Sequence, residues 1–498
     1  MRWVGRRRSV FVRGLSWRMR GSRNPVDKLK SPIESKKTSI YSRSPAWVRY
    51  LGAPFVRILE RSKVLQKIVA NTGWLIMEKG VSMIVGFFVA VWVIRYLGPE
   101  LFGKFSYAMS MVGLFGAIAT LGLDNIVIRN IVRGDADEGE LLATTGVLKF
   151  FGGIAATGLA IGSVLLLGQD RETTLLVAIF GGSIILAGLG VPDLWFQAKI
   201  RSKYSVGVRL GTLLFTNICK VALILAGASI FAFALVYPIG ALFSGVCFVA
   251  LLKIRTSKSF RLRPRMALVG ELLRDSWPLI ISGLSIALYM KSDQIMLGEM
   301  LDVREVGLYA TAVKLSEMWY FFPMVIAGSV FPAIIQAKEG ASVETYHRRM
   351  QAFYDIMVVI SLAIVVPMTF LAGLIVSVMF GVEYEGAGAI LRIHIWAFVF
   401  VALGVSRGKW LIAENMTRFA MVATLIGAVI NIGLNLVLIP AMGGVGAAWA
   451  TLIAYMISAY FSSLLIPETR IAFKQMTYSL FLPFRIRELK YAIKSFKK

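Results

Sequence analysis

From residue 70 onward the chain is a series of apolar stretches, each long enough to cross a bilayer as a helix, and this constrains its fold most strongly. A membrane-spanning helix needs about 20 mainly apolar residues. The predicted spans are 70–96, 102–123, 141–167, 174–195, 204–226, 229–252, 275–298, 307–333, 353–380, 387–410, 417–439 and 443–466. These stretches are continuous rather than alternating, which argues against membrane strands. We therefore predict an all-α polytopic membrane protein with about 12 transmembrane helices.

Composition excludes several other classes of protein. Hydrophobic residues make up 57% of the chain, charged residues 17%, and the mean hydropathy is +0.70. Soluble domains have roughly 45–50% and 25%, so a soluble enzyme or a disordered protein is excluded. Cys219 and Cys247 cannot form a disulfide framework, and two histidines, His347 and His394, leave little room for a metal site. With no phosphate-loop or zinc spacing in the sequence, we expect no enzyme activity and no bound cofactor.

The basic residues predict the orientation in the membrane. The net charge is +27, and Lys and Arg concentrate in the tails and in every second gap between spans. The other gaps contain only Arg171 and Arg304, and Lys104 lies close to the edge of one of them. By the positive-inside rule both ends are cytoplasmic in a cell membrane. Orientation explains the charge better than nucleic-acid binding does, so no nucleic-acid partner is expected.

The predicted segments are a basic cytoplasmic tail at 1–67, a six-helix lobe at 68–252, a basic cytoplasmic linker at 253–274, a second six-helix lobe at 275–467 and a basic tail at 468–498. Residues 46–69 suit an amphipathic helix on the membrane surface, although Pro54 interrupts it. A transit peptide, a disordered tail and a start codon placed too far upstream remain alternatives for the first residues. A weak echo between 93–107 and 295–309 supports two halves inserted the same way up.

Ionisable residues inside spans are costly in lipid, so they normally face a bundle interior or a watery cavity. The expected depths differ along the chain. The inner third of the membrane holds Glu78, Lys79 and Lys149, and Lys220 lies beyond the middle. The outer third holds Lys291, Asp293, Lys314 and Arg392, and Glu317 lies one turn deeper than Lys314. Cations outnumber acids in this set, and a cavity with that surplus attracts an anion.

Each of these residues also has a purely structural interpretation. Lys149 can extend to the interface. Lys314 can pair with Glu317 on its own helix or with Asp293 on the preceding one. His394 fits a buried hydrogen-bonded residue better than a proton relay.

Three segments resemble the Wzx-type polysaccharide flippases. They are VIRYLGPELFGKFSY at 93–107, LGLDNIVIRNIVRG at 121–134, and SGLSIALYMKSDQIMLGEMLDVREVGLYATAVKLSE at 282–317. The resemblance implies a fold of the multidrug/oligosaccharidyl-lipid/polysaccharide exporter kind, with two six-helix lobes around a central cavity. It also implies transport of a polyprenyl-pyrophosphate-linked oligosaccharide to the outer leaflet, with glycosyltransferases and a polysaccharide polymerase as partners.

By this analogy two groups of charged residues have separate roles. The headgroup would be bound by Lys79, Lys149, Lys220, Lys291 and Arg392. Charge balance, or coupling of transport to a Na⁺ or H⁺ gradient, would fall to Glu78, Asp293, Lys314 and Glu317.

Two alternative functions remain. A drug or cation antiporter of the same fold would want acids in its cavity. A membrane-embedded glycan polymerase or ligase would show long outer loops, and those predicted here are short.

Overall fold

The computed structural model describes residues 63–134, 136–256, 262–340 and 342–482, with side chains from residue 73 onward. The predictions for the basic tail before residue 63, for most of its amphipathic helix and for residues 483–498 lie outside these ranges. Within them the regular structure is helical and contains no strand.

The helices of the first lobe are α1 (Lys63–Leu114), α2 (Gly116–Thr120), α3 (Leu123–Arg133), α4 (Glu138–Leu166), α5 (Arg171–Leu186), α6 (Pro192–Ala198), α7 (Ser202–Leu225) and α8 (Ile230–Arg255). Those of the second lobe are α9 (Met266–Met300), α10 (Val303–Glu317), α11 (Phe321–Gly340), α12 (Val343–Phe380), α13 (Glu385–His394), α14 (Ala397–Ala413) and α15 (Thr417–Ala459), followed by α16 (Arg470–Leu480).

Two of the long helices each supply two membrane crossings because a glycine breaks them. Gly98 in α1 has φ +72° and Gly443 in α15 has φ +60°, values that L side chains rarely adopt. Pro99 and Pro440 stand close to these breaks, and neither can donate a backbone hydrogen bond. Eight of the described helices are long and apolar enough to cross a membrane, and the bent pair α13 and α14 makes a ninth crossing. Counting α1 and α15 as two crossings each and adding α9 gives the predicted twelve.

Several predicted spans are not single continuous helices. Span 102–123 covers the end of α1, all of α2 and the start of α3, and span 443–466 extends beyond the end of α15 at Ala459. In span 174–195, α5 ends at Leu186 and α6 begins at Pro192, because proline fits the first turn of a helix but not its interior. A tight turn at Met318–Tyr320 divides span 307–333. In span 387–410, α13 and α14 meet at an angle of 43°.

Side-chain caps fix the start of four helices. The oxygen of each cap accepts a hydrogen bond from a backbone N–H in the first turn, at 2.8–3.2 Å. The caps are Asp137, Asp170, Asp302 and Ser342. Burial favours the neutral form of Asp170, but hydrogen bonds from Lys104 and Thr173 outweigh it and lower the pKa of this loop carboxyl to about 2. Asp170 is therefore ionised at neutral pH.

Each lobe packs as its own bundle. In the first lobe α5 lies between α4 and α8, and α7 packs on α8; in the second α15 packs on α9 and α14, and α12 packs on α13 and α14. We call the end of the molecule with the connections after α3, α6, α8, α11 and α14 the basic end. The opposite end is the short-loop end. The boundary between the lobes at 253–274 remains a prediction from the sequence.

The lobes touch closely at the short-loop end. A Cβ atom on Gly103 would lie 1.6 Å from the carbonyl oxygen of Val303, and one on Gly307 would lie 2.0 Å from that of Pro99. The Tyr384 hydroxyl donates a hydrogen bond to the carbonyl oxygen of Ile94 at 2.7 Å. Only glycine allows this approach of α1 to α10. The lobes also meet toward the basic end, where α9 packs on α2, α3 and α4 and a Cβ atom on Gly122 would lie 2.6 Å from the Cβ of Leu279.

Candidate functional site

A cavity of about 540 Å³ lies between the two lobes. Its walls come from both halves of α1 and from α7 and α8 of the first lobe, and from α9, α10 and the turn after α10 in the second. Because both lobes contribute walls, a change in the angle between them would reshape this space.

The cavity carries a surplus of positive charge. Lys220, Lys291 and Lys314 line it, and Glu317 is the carboxylate among the lining residues that the structure describes. The ammonium group of Lys220 lies 4.7 Å from the centre of the Tyr237 ring, a cation–π contact. No described ion pair joins Lys314 to Glu317 or to Asp293. The arrangement therefore suits an anionic ligand.

The cavity lining combines aromatic and polar side chains. The aromatic rings come from the first lobe, from Phe87, Phe102, Phe105, Phe233 and Tyr237. Both lobes present polar groups, with Lys220 in the first and Lys291, Gln294, Lys314 and Glu317 in the second. A cargo with both an apolar surface and an anionic group matches this lining.

Three of the predicted headgroup residues lie elsewhere. Lys79 is exposed, whereas its neighbour Glu78 is buried. Lys149 forms an ion pair with Asp124. Arg392 is exposed and approaches Gly373 on α12. None of the three cations is among the cavity-lining residues. Lys79 lies on another face of α1, and the helices of Lys149 and Arg392, α4 and α13, contribute no residue to the lining.

Asp293 is buried in the second lobe, and its partners are neutral. The hydroxyl groups of Tyr309 and Thr451 each donate to Oδ2 at 2.5 Å, and the Asn435 amide donates to Oδ1 at 2.6 Å. The expected pairing with Lys314 is therefore not what the structure shows. Three donors satisfy the carboxylate without a counter-charge.

The Asp293 cluster continues along α15 and leaves one acceptor unused. Asn431 accepts hydrogen bonds through Oδ1 from Ser292 at 2.9 Å and from Asn435 at 3.3 Å. Oδ1 of Asn435 is buried and has no hydrogen-bond partner among the described residues. Buried oxygens without a donor are rare, and a cation is one kind of group that satisfies them.

Several polar and charged residues of the membrane part were not among the predicted site residues. Asn431, Asn435 and Thr451 are neutral, although two asparagines four residues apart in an apolar span are a signal of one polar face. Arg209 contacts Glu78 and Asp193 near the basic end. Arg407 is buried and binds serine groups of the last span. Both arginines lie inside predicted spans.

The sequence matches known families over most of the membrane part. Residues 68–338 match the family described as polysaccharide biosynthesis protein, and residues 278–437 match the MatE family. The probable low-salt glycan biosynthesis flippase Agl15 of Haloferax volcanii is 25% identical over 378 residues, which are 73% of this chain and 76% of that protein. The probable flippase AglR of the same organism is 23% identical over 397 residues, 77% and 80% of the two chains.

Two solved structures share the fold. An inward-facing multidrug resistance MATE family transporter of the MOP superfamily matches 82% of this chain and 96% of its own, with a TM-score of 0.65 and 14% identity. The lipid II flippase MurJ, in an inward closed conformation, matches 84% and 95%, with a TM-score of 0.63 and 16% identity. The predicted all-α fold with two six-helix lobes around a central cavity is confirmed by this likeness.

Proposed function

Because the chain belongs to the polysaccharide biosynthesis protein family, as its resemblance to Wzx-type flippases predicted, we propose that it is a flippase for a lipid-linked oligosaccharide. The cargo is an oligosaccharide joined through pyrophosphate to a polyprenol, and it moves from the cytoplasmic to the outer leaflet of the cell membrane for surface polysaccharide synthesis. The basic end is cytoplasmic in this proposal. The Agl15 and AglR relatives, named as flippases, support the assignment.

The observation that carries the proposal is the charge of the cavity. Three lysines face one glutamate there, which suits a pyrophosphate and disfavours the drug or cation antiporter, whose cargo needs acids. The aromatic first-lobe wall offers apolar ring faces to sugars or to the first isoprene units. In this proposal the headgroup loads from the basic end, because that end faces the cytoplasm. Rocking of the lobes about the cavity then exposes it to the other side.

We expect Lys220→Met and Lys291→Met each to lower transport about tenfold or more, because each removes a charge-assisted contact to the headgroup. Lys79→Met is the matched control, since Lys79 is exposed and outside the cavity lining. Lectin accessibility of lipid-linked glycan in oriented vesicles measures transport. Equal activity of all three variants would contradict the cavity assignment.

We further propose that the Asp293 cluster holds the coupling cation, Na⁺ or H⁺. The carboxylate, the unpartnered Asn435 oxygen and the Thr451 hydroxyl provide the oxygen atoms that hard cations prefer. Asp293 lies outside the cavity lining but on the same helix as Lys291, and Asn435 and Thr451 lie on α15. Occupancy can therefore change the packing of α9 against α15.

Asp293→Asn tests this coupling. If Na⁺ binds, the wild type unfolds at a higher temperature in sodium chloride than in choline chloride, and Asp293→Asn abolishes that difference. If a proton couples transport, an imposed pH gradient changes the transport rate of the wild type, and Asp293→Asn abolishes that change. Asp355→Asn is the control, because Asp355 is an equally buried acid of the second lobe with hydrogen bonds from Ser479 and Gln351. Retention of both responses in Asp293→Asn would refute the coupling site.

A further inference from the structure

An arginine and two carboxylates lie one helical turn from the cavity lining, toward the basic end. Ser82 lines the cavity and donates a hydrogen bond to Oε1 of Glu78 at 3.2 Å. Leu213 also lines the cavity, and Arg209 lies one turn before it on α7. Asp193 on α6 completes the group. We call Glu78, Asp193 and Arg209 the mouth triad.

The triad is unequally paired. Nη2 of Arg209 lies 2.5 Å from Oδ2 of Asp193, whereas Nη1 lies 3.9 Å from Oε2 of Glu78, beyond hydrogen-bond distance. Oε2 of Glu78 and Oδ1 of Asp193 have no hydrogen-bond partner within the described ranges, although both are buried. Burying carboxylate oxygens without donors costs free energy. The two acids thus share one guanidinium and leave a surplus of one negative charge.

Arg209 is the accessible member of the triad. Its side chain is 32% exposed, against 7% for Glu78 and 13% for Asp193. A guanidinium has five N–H donors, and its planar fork can bind two phosphate oxygens at once. Arg209 can therefore hold Asp193 with one edge and offer remaining donors to an anion at the mouth of the cavity.

We propose that Arg209 is an additional binding residue for the anionic headgroup, contacted before the cavity lysines, and that Glu78 and Asp193 keep its affinity low. The inference rests on the proposed function and names a part of the binding site that the cavity lining does not contain. The mouth triad as a whole carries one surplus negative charge, whereas the cavity carries a surplus of positive charge. A headgroup released from the mouth is thus drawn inward rather than retained.

The sign of the effect at Glu78 separates this role from a purely structural one. Glu78→Gln keeps an oxygen for the Ser82 hydroxyl and removes the charge that competes for Arg209. Anion binding should therefore become tighter. If Glu78 only anchors Arg209, the same variant loosens the arginine, and binding becomes weaker or stays unchanged.

The test uses the full chain in detergent and farnesyl pyrophosphate as the probe, with affinity measured by titration calorimetry. We expect Arg209→Gln to weaken binding about tenfold, the scale of a lost hydrogen bond to a charged group. Glu78→Gln should tighten binding roughly threefold, as expected for one partly screened charge. Arg201→Gln, at the same end and in contact with the Trp195 ring, should bind like the wild type.

The double variant Arg209→Gln with Asp193→Asn controls for misfolding. In Arg209→Gln alone, Asp193 would be left as a buried acid without its partner, and the double variant removes that charge as well. It should unfold near the wild-type temperature and still bind weakly. If Arg209→Gln and the double variant both bind with wild-type affinity while Lys291→Met binds more weakly, this inference is overturned and the proposed function stands. Weaker or unchanged binding in Glu78→Gln would also overturn it. No binding by the wild type would refute the pyrophosphate headgroup and this inference together.

Discussion

Three buried charges of the second lobe, on Asp293, Asp355 and Arg407, are held by neutral dipoles rather than by opposite charges. Hydroxyl and amide groups surround Asp293. Arg407, 6% exposed, donates to the hydroxyl groups of Ser462 and Ser463 at 2.5 and 3.1 Å and to the carbonyl oxygen of Ser458 at 2.8 Å. No acid forms an ion pair with it in the part of the chain that the structure describes.

This environment predicts an unusual order of stabilities around Arg407. Ser462→Ala should lower the free energy of unfolding by about 1–3 kcal/mol, because it leaves a buried guanidinium less well satisfied. Arg407→Met should cost less, since an apolar side chain of similar length needs no partners and Ser462 still donates to Ser458. Thermal unfolding in detergent measures the order. A greater loss in Arg407→Met than in Ser462→Ala would show that the charge itself stabilises the lobe.

At the scale of elements, the contact between α1 and α10 depends on glycine. The absence of a side chain lets Gly103 and Gly307 bring two backbones together at the short-loop end. Glycine weakens a helix by about 1 kcal/mol relative to alanine. Its presence in both helices is therefore explained by the approach of the lobes and not by helix formation.

Gly103→Ala tests the contact against a matched control. The added Cβ would meet backbone atoms of α10, which cannot move aside alone, so the lobes should separate at this end and the unfolding temperature should fall. Gly158→Ala lies inside α4, where an added Cβ meets nothing within 4 Å. It should be neutral or stabilise by up to about 1 kcal/mol. Similar losses in both variants would mean that the close approach does not hold the lobes.

At the scale of the whole molecule, a carboxylate of the second lobe fastens the lobes together. Oε1 of Glu299 accepts hydrogen bonds from the Tyr107 hydroxyl and, at 2.9 Å, from the Gln169 amide, both in the first lobe. Ser110 donates to Gln294 across the same seam at 2.5 Å. These bonds must break when the short-loop end opens.

Glu299→Ala should therefore shift the population toward the state that is open at the short-loop end, by about tenfold or more, because two bonds to a charged acceptor are lost. Spin labels at the exposed positions Leu167 and Val382, one in each lobe, would report a longer distance. Glu172→Ala is the control, since Glu172 pairs with Lys104 inside the first lobe. An unchanged distance distribution in Glu299→Ala would show that the seam is held elsewhere.

The sequence by itself determined that the chain is an all-α membrane protein and that its helices follow one another along the chain as two lobes of six. These properties follow from the length of apolar stretches, the places of Gly and Pro, and the distribution of Lys and Arg, all of which are local in the chain. Family membership was also readable, from residues 93–107, 121–134 and 282–317.

Only the tertiary structure decided which charged residues face the cavity. Glu78 and Lys79 are neighbours in sequence, but successive helix positions differ by about 100°, so one is buried and the other exposed. The rotation of each helix is set by packing against the others, which the apolar pattern of a membrane span scarcely records, because lipid and protein interiors are similarly apolar. For the same reason Asp293 forms hydrogen bonds with Asn435 and Thr451 rather than an ion pair with Lys314, because the packing of the helices determines which side chains lie next to it.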